Sequence, residues 1–436
     1  MILYLVLFSA RYVWESALNL ANQRFVRSRR DDPPRWAAEI MDRETYSRSI
    51  DYTFTRSRFS LLSDTFGSFF LLAIVLTGTL GTLDALVRRL NVGFATQGVL
   101  FYFLIAAGFG LFSLPFSLYR QFVIEEHFGF NRMTWRLFFL DALKGLAVSA
   151  ALLTPVLYGL FMFMAETGRF WWIYAFCALA LFQLVITVIY PSLIAPLFNR
   201  FSPLPEGELR DRINALAVKL GFRTRGIYVM DGSRRTKHAN AYFTGLGRAK
   251  RIVLFDTLIN QMEQEEIVSV LAHEIAHEKK KHTIKRLAVN AAASLLAFWI
   301  LSGLLTYSPF FEAFGFEAPS YHAALVLISF CAGPFVFFLQ PLFALWSRKH
   351  EYEADRFAVE AVGDTKGLRG ALTRLSRNSL ANLTPHPWYS FYHYSHPTLG
   401  ERIAAMQSSH VREETGKAAA GAEPGPAALR EAGDEA

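Results

Sequence analysis

Seven stretches of this chain are apolar over about the 20 residues that a helix needs to cross a bilayer, roughly 1–22, 61–87, 97–123, 139–165, 169–197, 287–307 and 321–346. They constrain the fold more than any other feature. A water-soluble chain of 436 residues, 52% of them hydrophobic, would divide into two or three domains with its apolar residues dispersed. Here the apolar residues are bunched, and the 40 phenylalanines suit lipid-facing and helix-packing surfaces. The first stretch, MILYLVLFSARYVWESALNLAN, carries Arg11 and Glu15. It lacks the basic start and small-residue cleavage site of a signal peptide. The fold class read from this pattern is an all-α membrane protein with a small α+β domain. The formal net charge of +8 sits in the connections rather than in the apolar runs. No module or aromatic-interleaved basic patch accompanies it, so nucleic acid is not an expected partner. Cys177 and Cys331 both lie in apolar runs, which argues against a structural disulfide and against a thiol metal site.

Seven spans place the termini on opposite sides. Cytoplasmic loops carry an excess of Lys and Arg. The connection Gln23–Phe59, the one near 124–138, segment 198–286 and the region after 347 are all basic and share one side. The other side receives Arg88, Arg89 and Arg169. The expected orientation puts 198–286 and the C-terminal region in the cytoplasm and the N-terminus outside. The expected organisation is spans one to five in 1–197, a cytoplasmic domain in 198–286, spans six and seven in 287–346, the rest of that domain in 347–415, and a disordered tail in 416–436. Within 198–286, EGELRDRINALAVKLGF has helical spacing of Leu209, Ile213, Leu216, Ala217 and Leu220. GIYVMDGS and RIVLFDTLI read as strands, as does HANAYFTGLG with its glycine-bearing end. A helix follows from about Gln264 to His282.

That helix carries LAHEIAHEKKKH. Residues four apart share a helix face, so His273 and His277 can present ring nitrogens to one ion. Glu274 flanks that face, within reach of a metal-bound water as its general base. Two imidazoles and a carboxylate leave a fourth position for water, the arrangement of catalytic Zn²⁺. The pattern also occurs by chance on surface helices; its helical context and a third ligand downstream raise its weight. In SRKHEYEADRFA, Glu351 and Asp355 are again four apart. Glu351 would complete a His/His/Glu set for one zinc ion, and Asp355 would accept a hydrogen bond from a ligand imidazole. A solvated helix end is the competing reading of this stretch. The hairpin of spans six and seven returns the chain to the face it left, which favours the ligand reading. His277 stands about ten residues before the sixth span, or ~15 Å if the helix runs straight. The lysines 279–281 anchor that span at the head groups. His282 reads as a surface histidine, and His350 as pointing away from the site. Asp141 and Lys144 read as a local ion pair near the start of the fourth span.

At these residues the sequence resembles the type I CAAX prenyl proteases, integral-membrane zinc metalloendopeptidases. The resemblance covers almost the whole chain: VWESALNLANQR, PRWAAEIMDRETYSRSIDYTFTRSRFS, EEHFGFNRMT, SRRTKHANAYFTGLGRAKRIVLFDTLI, HEIAHEKKKH, SRKHEYEADRFA and YSFYHYSHPTLGERI, in that order. It implies a seven-helix barrel around a large water-filled chamber, closed at one end by the zinc domain. It implies hydrolysis of C-terminal CAAX-type tails of peptide or protein substrates, prenylated in the family. It implies His273, His277 and Glu351 as zinc ligands, Glu274 as catalytic base, and substrate contacts at Asn240 and Ala241 in an edge strand that pairs with substrate backbone. SHPTLGER supplies His396 and Arg402, which resemble residues lining the active-site cleft. From the residues alone, His396 before Pro397 is equally an oxyanion donor or a structural cap. The Arg- and Ala-rich composition and the ending AGDEA, without a retrieval signal, point to a bacterial inner membrane. There an HtpX-like quality-control role is an alternative to CAAX trimming. A non-catalytic scaffold or transporter with structural zinc is the rival from another class.

Overall fold

The computed structural model describes residues 1–244 and 250–408; the glycine-bearing end of HANAYFTGLG and the tail at 416–436 lie outside the described residues. The chain is mostly helical with one small sheet. Among the described residues, six helices are long and apolar enough to cross a membrane: Arg43–Leu76, Phe94–His127, Trp135–Glu166, Gly168–Phe198, His282–Leu304 and Tyr321–Val362.

The first expected span is a helix, α1 (Ile2–Ser28), but it is not among those six. The reason is its polar face. Asn19, Asn22 and Gln23 are buried, and Gln23 Nε2 donates to Ser57 Oγ at 3.3 Å, which in turn donates to Asn19 Oδ1 at 3.2 Å. Ser57 belongs to α2 (Arg43–Leu76), so these residues hold two helices together. Asn19, Asn22 and Ser57 also border a cavity of about 930 Å³, whose lining includes Tyr52, Arg56, Asp64, Ser113, Arg120 and several phenylalanines.

The second span differs from its expected limits. Much of the arginine-rich connection is already helix α2, which Asp42 caps by accepting from Thr45 N at 2.8 Å. The helix ends at Leu76, and Gly78 (φ 69°) turns the chain into a separate helix α3 (Thr79–Arg88). The bundle continues through α4 (Phe94–Tyr119), α5 (Trp135–Glu166) and α6 (Trp171–Ile189). Asp141 and Lys144 do not pair with each other. Asp141 lies 2.9 Å from the Arg235 guanidinium, and Lys144 Nζ donates to the Leu197 carbonyl at 2.8 Å. Asp141 thus ties the fourth expected span to the soluble domain, and Lys144 ties it to the end of the fifth. Cys177 and Cys331 are free thiols, as expected; Cys177 is exposed on its helix.

The soluble domain holds a four-stranded sheet among the described residues. Its strands are β1 (Phe201–Pro203), which carries no clear strand pattern, β2 (Ile227–Met230), β3 (Ala241–Thr244) and β4 (Arg251–Phe255). The order is β1-β2-β4-β3, with β2 and β4 parallel and the outer pairs antiparallel. The expected strand RIVLFDTLI stops at Phe255, because Asp256 accepts from the Thr257 and Ser233 backbone amides and starts the helix α7 (Asp256–Gln261).

The helix α8 (Gln264–Lys279) opens with a reciprocal capping box between Glu263 and Glu266. Its apolar stripe Ile267, Leu271 and Ile275 is at most 1% exposed and packs into the core with Ile252 and Leu254 of the sheet. α8 does not run straight into the membrane. Lys281 takes a left-handed conformation (φ 57°), and a new helix, α9 (His282–Leu304), starts at once. The return span, by contrast, is one unbroken helix, α10 (Tyr321–Val362, 42 residues). Its last turns lie against α8. The next helix, α11 (Lys366–Asn378), approaches α8 closely through Gly367, where a Cβ would stand 2.2 Å from Ser269 Oγ and 3.1 Å from the Glu265 carbonyl.

Candidate metal centre

Helices α8 and α10 bring three expected ligands together. His273 Nε2 and His277 Nε2 lie 3.2 Å apart. His273 Nε2 is 3.4 Å from Glu351 Oε2, and His277 Nε2 is 3.4 Å from Glu351 Oε1. A tetrahedral metal with bonds of 2.0–2.1 Å spaces its ligand atoms about 3.3–3.4 Å apart. The triangle therefore has the size a zinc ion needs. Its chemistry fits too: Glu351 Oε2 is buried with no aligned hydrogen-bond donor, although His396 Nδ1 stands 2.8 Å away. An electron-rich oxygen left so is what a cation would satisfy.

The outer groups fix each imidazole. His273 Nδ1 lies 2.9 Å from Asp355 Oδ1, so Nδ1–H donates there and Nε2 is turned toward the site. Asp355 is 3% exposed and is gripped by Arg402, whose Nε donates at 2.8 Å and Nη2 at 2.5 Å. Arg402 also comes within 3.4 Å of His273 Nδ1. Burial disfavours charge on His273, but Asp355 and Glu351 outweigh it and hold its pKa up at about 9. Burial and the charge of His273 push His277 down to about 4. Glu274, half-buried beside them, is raised above the ordinary carboxylate range, first by burial.

Sequence reasoning missed the support of His277. His282 is 4% exposed, not a surface residue. Its Nδ1 is 3.1 Å from His277 Nδ1 and its Nε2 is 3.1 Å from Glu353 Oε2. One proton assignment satisfies the chain: His282 Nε2–H donates to Glu353, His282 Nδ1 accepts from His277 Nδ1–H, and His277 Nε2 is free for the site. His350 does not point elsewhere. Its ring stacks on that of His282 at 3.9 Å and 9°. The signal in the sequence is His282 itself, five residues after His277, but only the left-handed turn at Lys281 brings it back.

Two expected contact residues stand farther along the sheet. β3 is an edge strand among the described residues. The Asn240 carbonyl accepts from Phe255 N at 3.0 Å, and its side-chain oxygen accepts from Ala241 N at 2.8 Å. His396 is largely exposed and reaches Glu351, as above; it follows α12 (Pro387–His393).

The chain is similar to known proteins over nearly its whole length. A family profile described as CAAX prenyl protease N-terminal, five membrane helices, matches residues 22–200, and one for peptidase family M48 matches residues 203–410. The rice CAAX prenyl protease 1 homolog is 35% identical over 92% of this chain and 96% of its own. The human CAAX prenyl protease 1 homolog is 33% identical, over 91% and 93% respectively. The crystal structure of S. mikatae Ste24p superposes with a TM-score of 0.86 at 33% identity, covering 93% of this chain and 98% of that one. The two profiles, the full-length relatives and the shared architecture lead to one conclusion: the chain belongs to the CAAX prenyl protease 1 group of peptidase family M48, the membrane zinc metalloendopeptidases.

Proposed function

We propose that this protein cleaves the C-terminal CAAX tails of prenylated peptide or protein substrates, with one zinc ion held by His273, His277 and Glu351. The 3.2–3.4 Å triangle of ligand atoms carries the metal part of this reading, and the names of the full-length relatives suggest the substrate. Zinc bound there would acidify water and polarise the scissile carbonyl. Glu274 takes the proton of the attacking water and returns it to the leaving amine; its raised pKa suits that exchange. His396, exposed at the edge of the site, donates to the oxyanion. Asp355 orients His273, and Arg402 lines the cleft from behind Asp355.

The register supports a backbone contact at β3. Asn240 and Phe255 form a hydrogen-bonded pair. Antiparallel pairs alternate, so Ala241 and Phe243 turn their amides and carbonyls away from β4, toward the free edge. A substrate strand would pair there. The Asn240 side chain, now bonded to Ala241 N, would have to turn aside or set the register.

We further read α1 as the seventh span, closing a barrel around the cavity of about 930 Å³, in which Asn19, Arg56, Asp64, Ser113 and Arg120 stand among phenylalanines and offer partners to water. The basic connections favour a cytoplasmic position for the metal end, in a bacterial inner membrane. The domain limits 1–197, 198–286, 287–346 and 347–415 follow from that arrangement. The test is mass spectrometry of peptides incubated with the purified enzyme, prenylated and unprenylated, beside Glu274→Gln. The expected result is removal of the last three residues, zinc retained in the variant, and cleavage down at least ~100-fold. Full activity in Glu274→Gln would remove that residue from the mechanism.

A further inference from the structure

The end of the bundle remote from the metal carries a second cavity. α9 leaves the metal end at His282 and finishes at Leu304, about 34 Å away at helical rise. Its last turn and the first turn of α10 border a cavity of about 780 Å³. That volume is within the range of small-ligand sites.

The connections at this end hold just three basic residues, Arg88, Arg89 and Arg169. Two of them, Arg88 and Arg169, are 81 positions apart in sequence and line the same cavity. Among the described residues, no carboxylate lines it. The nearby Asp84, 3% exposed, is already committed: His322 Nε2 is 2.5 Å from Oδ1, and Arg88 Nε donates to Oδ2 at 2.8 Å. Arg88 thus keeps its two terminal nitrogens for another partner. Arg169 rests against the Phe170 ring and has no carboxylate partner among the described residues. The walls between the two guanidinium groups are Phe94, Trp171 and Tyr321, each in the first turn of a membrane-length helix. Aromatic rings at helix ends mark the head-group level of a bilayer.

A carboxylate-free cavity with two guanidinium groups selects an anion, and arginine suits phosphate. Aromatic walls at head-group depth select a phosphate that brings its own apolar chain. We infer that this cavity binds the head group of an anionic phospholipid, with Arg88 and Arg169 on the phosphate. Neither residue belongs to the metal centre, so the site is separate from the peptidase chemistry.

The test uses the zinc-loaded full chain exchanged into mixed micelles of phosphatidylglycerol and phosphatidylcholine, with bound lipid read by native mass spectrometry. Wild type retains phosphatidylglycerol preferentially. Arg169→Gln lowers that retention about fivefold, the scale of one exposed charged contact, and Arg88→Gln/Arg169→Gln lowers it further. Arg169 has no buried partner, so its variant folds and keeps its zinc even if loss of Arg88 unsettles Asp84. Equal retention of both lipids by wild type, or undiminished phosphatidylglycerol on Arg169→Gln, overturns the inference. So does binding of inorganic phosphate without preferential retention of phosphatidylglycerol.

Discussion

Replacing Arg402 by Gln tests how far the metal centre depends on groups that never reach the metal. The Arg402 fork makes two hydrogen bonds to Asp355, at 2.8 and 2.5 Å, and both side chains are nearly closed to solvent, 11% and 4% exposed. Removing one partner of such a pair leaves a buried charge uncompensated and costs about 3–5 kcal/mol. His273 Nδ1–H remains to Asp355, 2.9 Å away, so the lower end of that range applies. The loss passes to the metal. Asp355 holds the imidazole of His273, and loosening such a support lowers metal affinity about 10–100-fold, or roughly 1.4–2.7 kcal/mol. The assay is competition for zinc between the purified protein and a chelator of known affinity, with thermal unfolding of the zinc-free protein measured beside it. Asp355→Asn completes a double-mutant cycle, in which the double variant should be less impaired than the two single losses summed, by about 0.5–3 kcal/mol. Zinc affinity of Arg402→Gln within about threefold of wild type would refute the reasoning, since the contact would then carry less than ~0.7 kcal/mol.

Other substitutions probe different parts of the structure. His282→Phe keeps the stack on His350 but removes the acceptor of His277 Nδ1–H, so zinc affinity should fall about 10-fold while zinc-free stability moves less; unchanged affinity would separate His282 from the site. Phe243→Pro removes an outward-facing amide together with a ring packed on Phe222, so Phe243→Ala is its control; relative to that control KM should rise severalfold for the loss of about 1 kcal/mol while kcat and melting temperature stay nearly unchanged. Tyr242→Pro removes an amide that faces β4 and should unfold the edge; equal behaviour of the two variants would show the register argument to be wrong. Gly367→Ala drives a Cβ into Ser269 and the Glu265 carbonyl, and should cost about 1–3 kcal/mol, seen as a lower melting temperature.

Much of the metal centre was legible because its grammar is helical spacing. His273 and His277, and then Glu351 and Asp355, each lie four apart, and an apolar hairpin between them fixes the side of the membrane. The strands were legible in their apolar cores and not at their ends, where Asp256 converts strand to helix through its side chain. What stayed hidden depended on single backbone angles or distant partners. Nothing about Lys281 announces a left-handed conformation, so His282 read as one more residue of a straight helix. Asp141 had a lysine three positions away and instead chose Arg235, nearly a hundred residues on. The polar face of α1, which sets it apart from the other long helices, makes sense only once α2 and the cavity stand opposite.

The 42-residue helix α10 begins beside the Asp84–His322 pair and delivers Glu351 to the metal centre without a break. From Tyr321 to Glu351 it is a lever about 45 Å long, so a tilt of one degree at its root sweeps the carboxylate by about 0.8 Å. Membrane helices adjust to bilayer thickness by tilting. Pro334 and Pro341 are the two points along the rod able to absorb that motion. Where they do not, the thickness of the surrounding lipid becomes a variable in how tightly the cation is grasped.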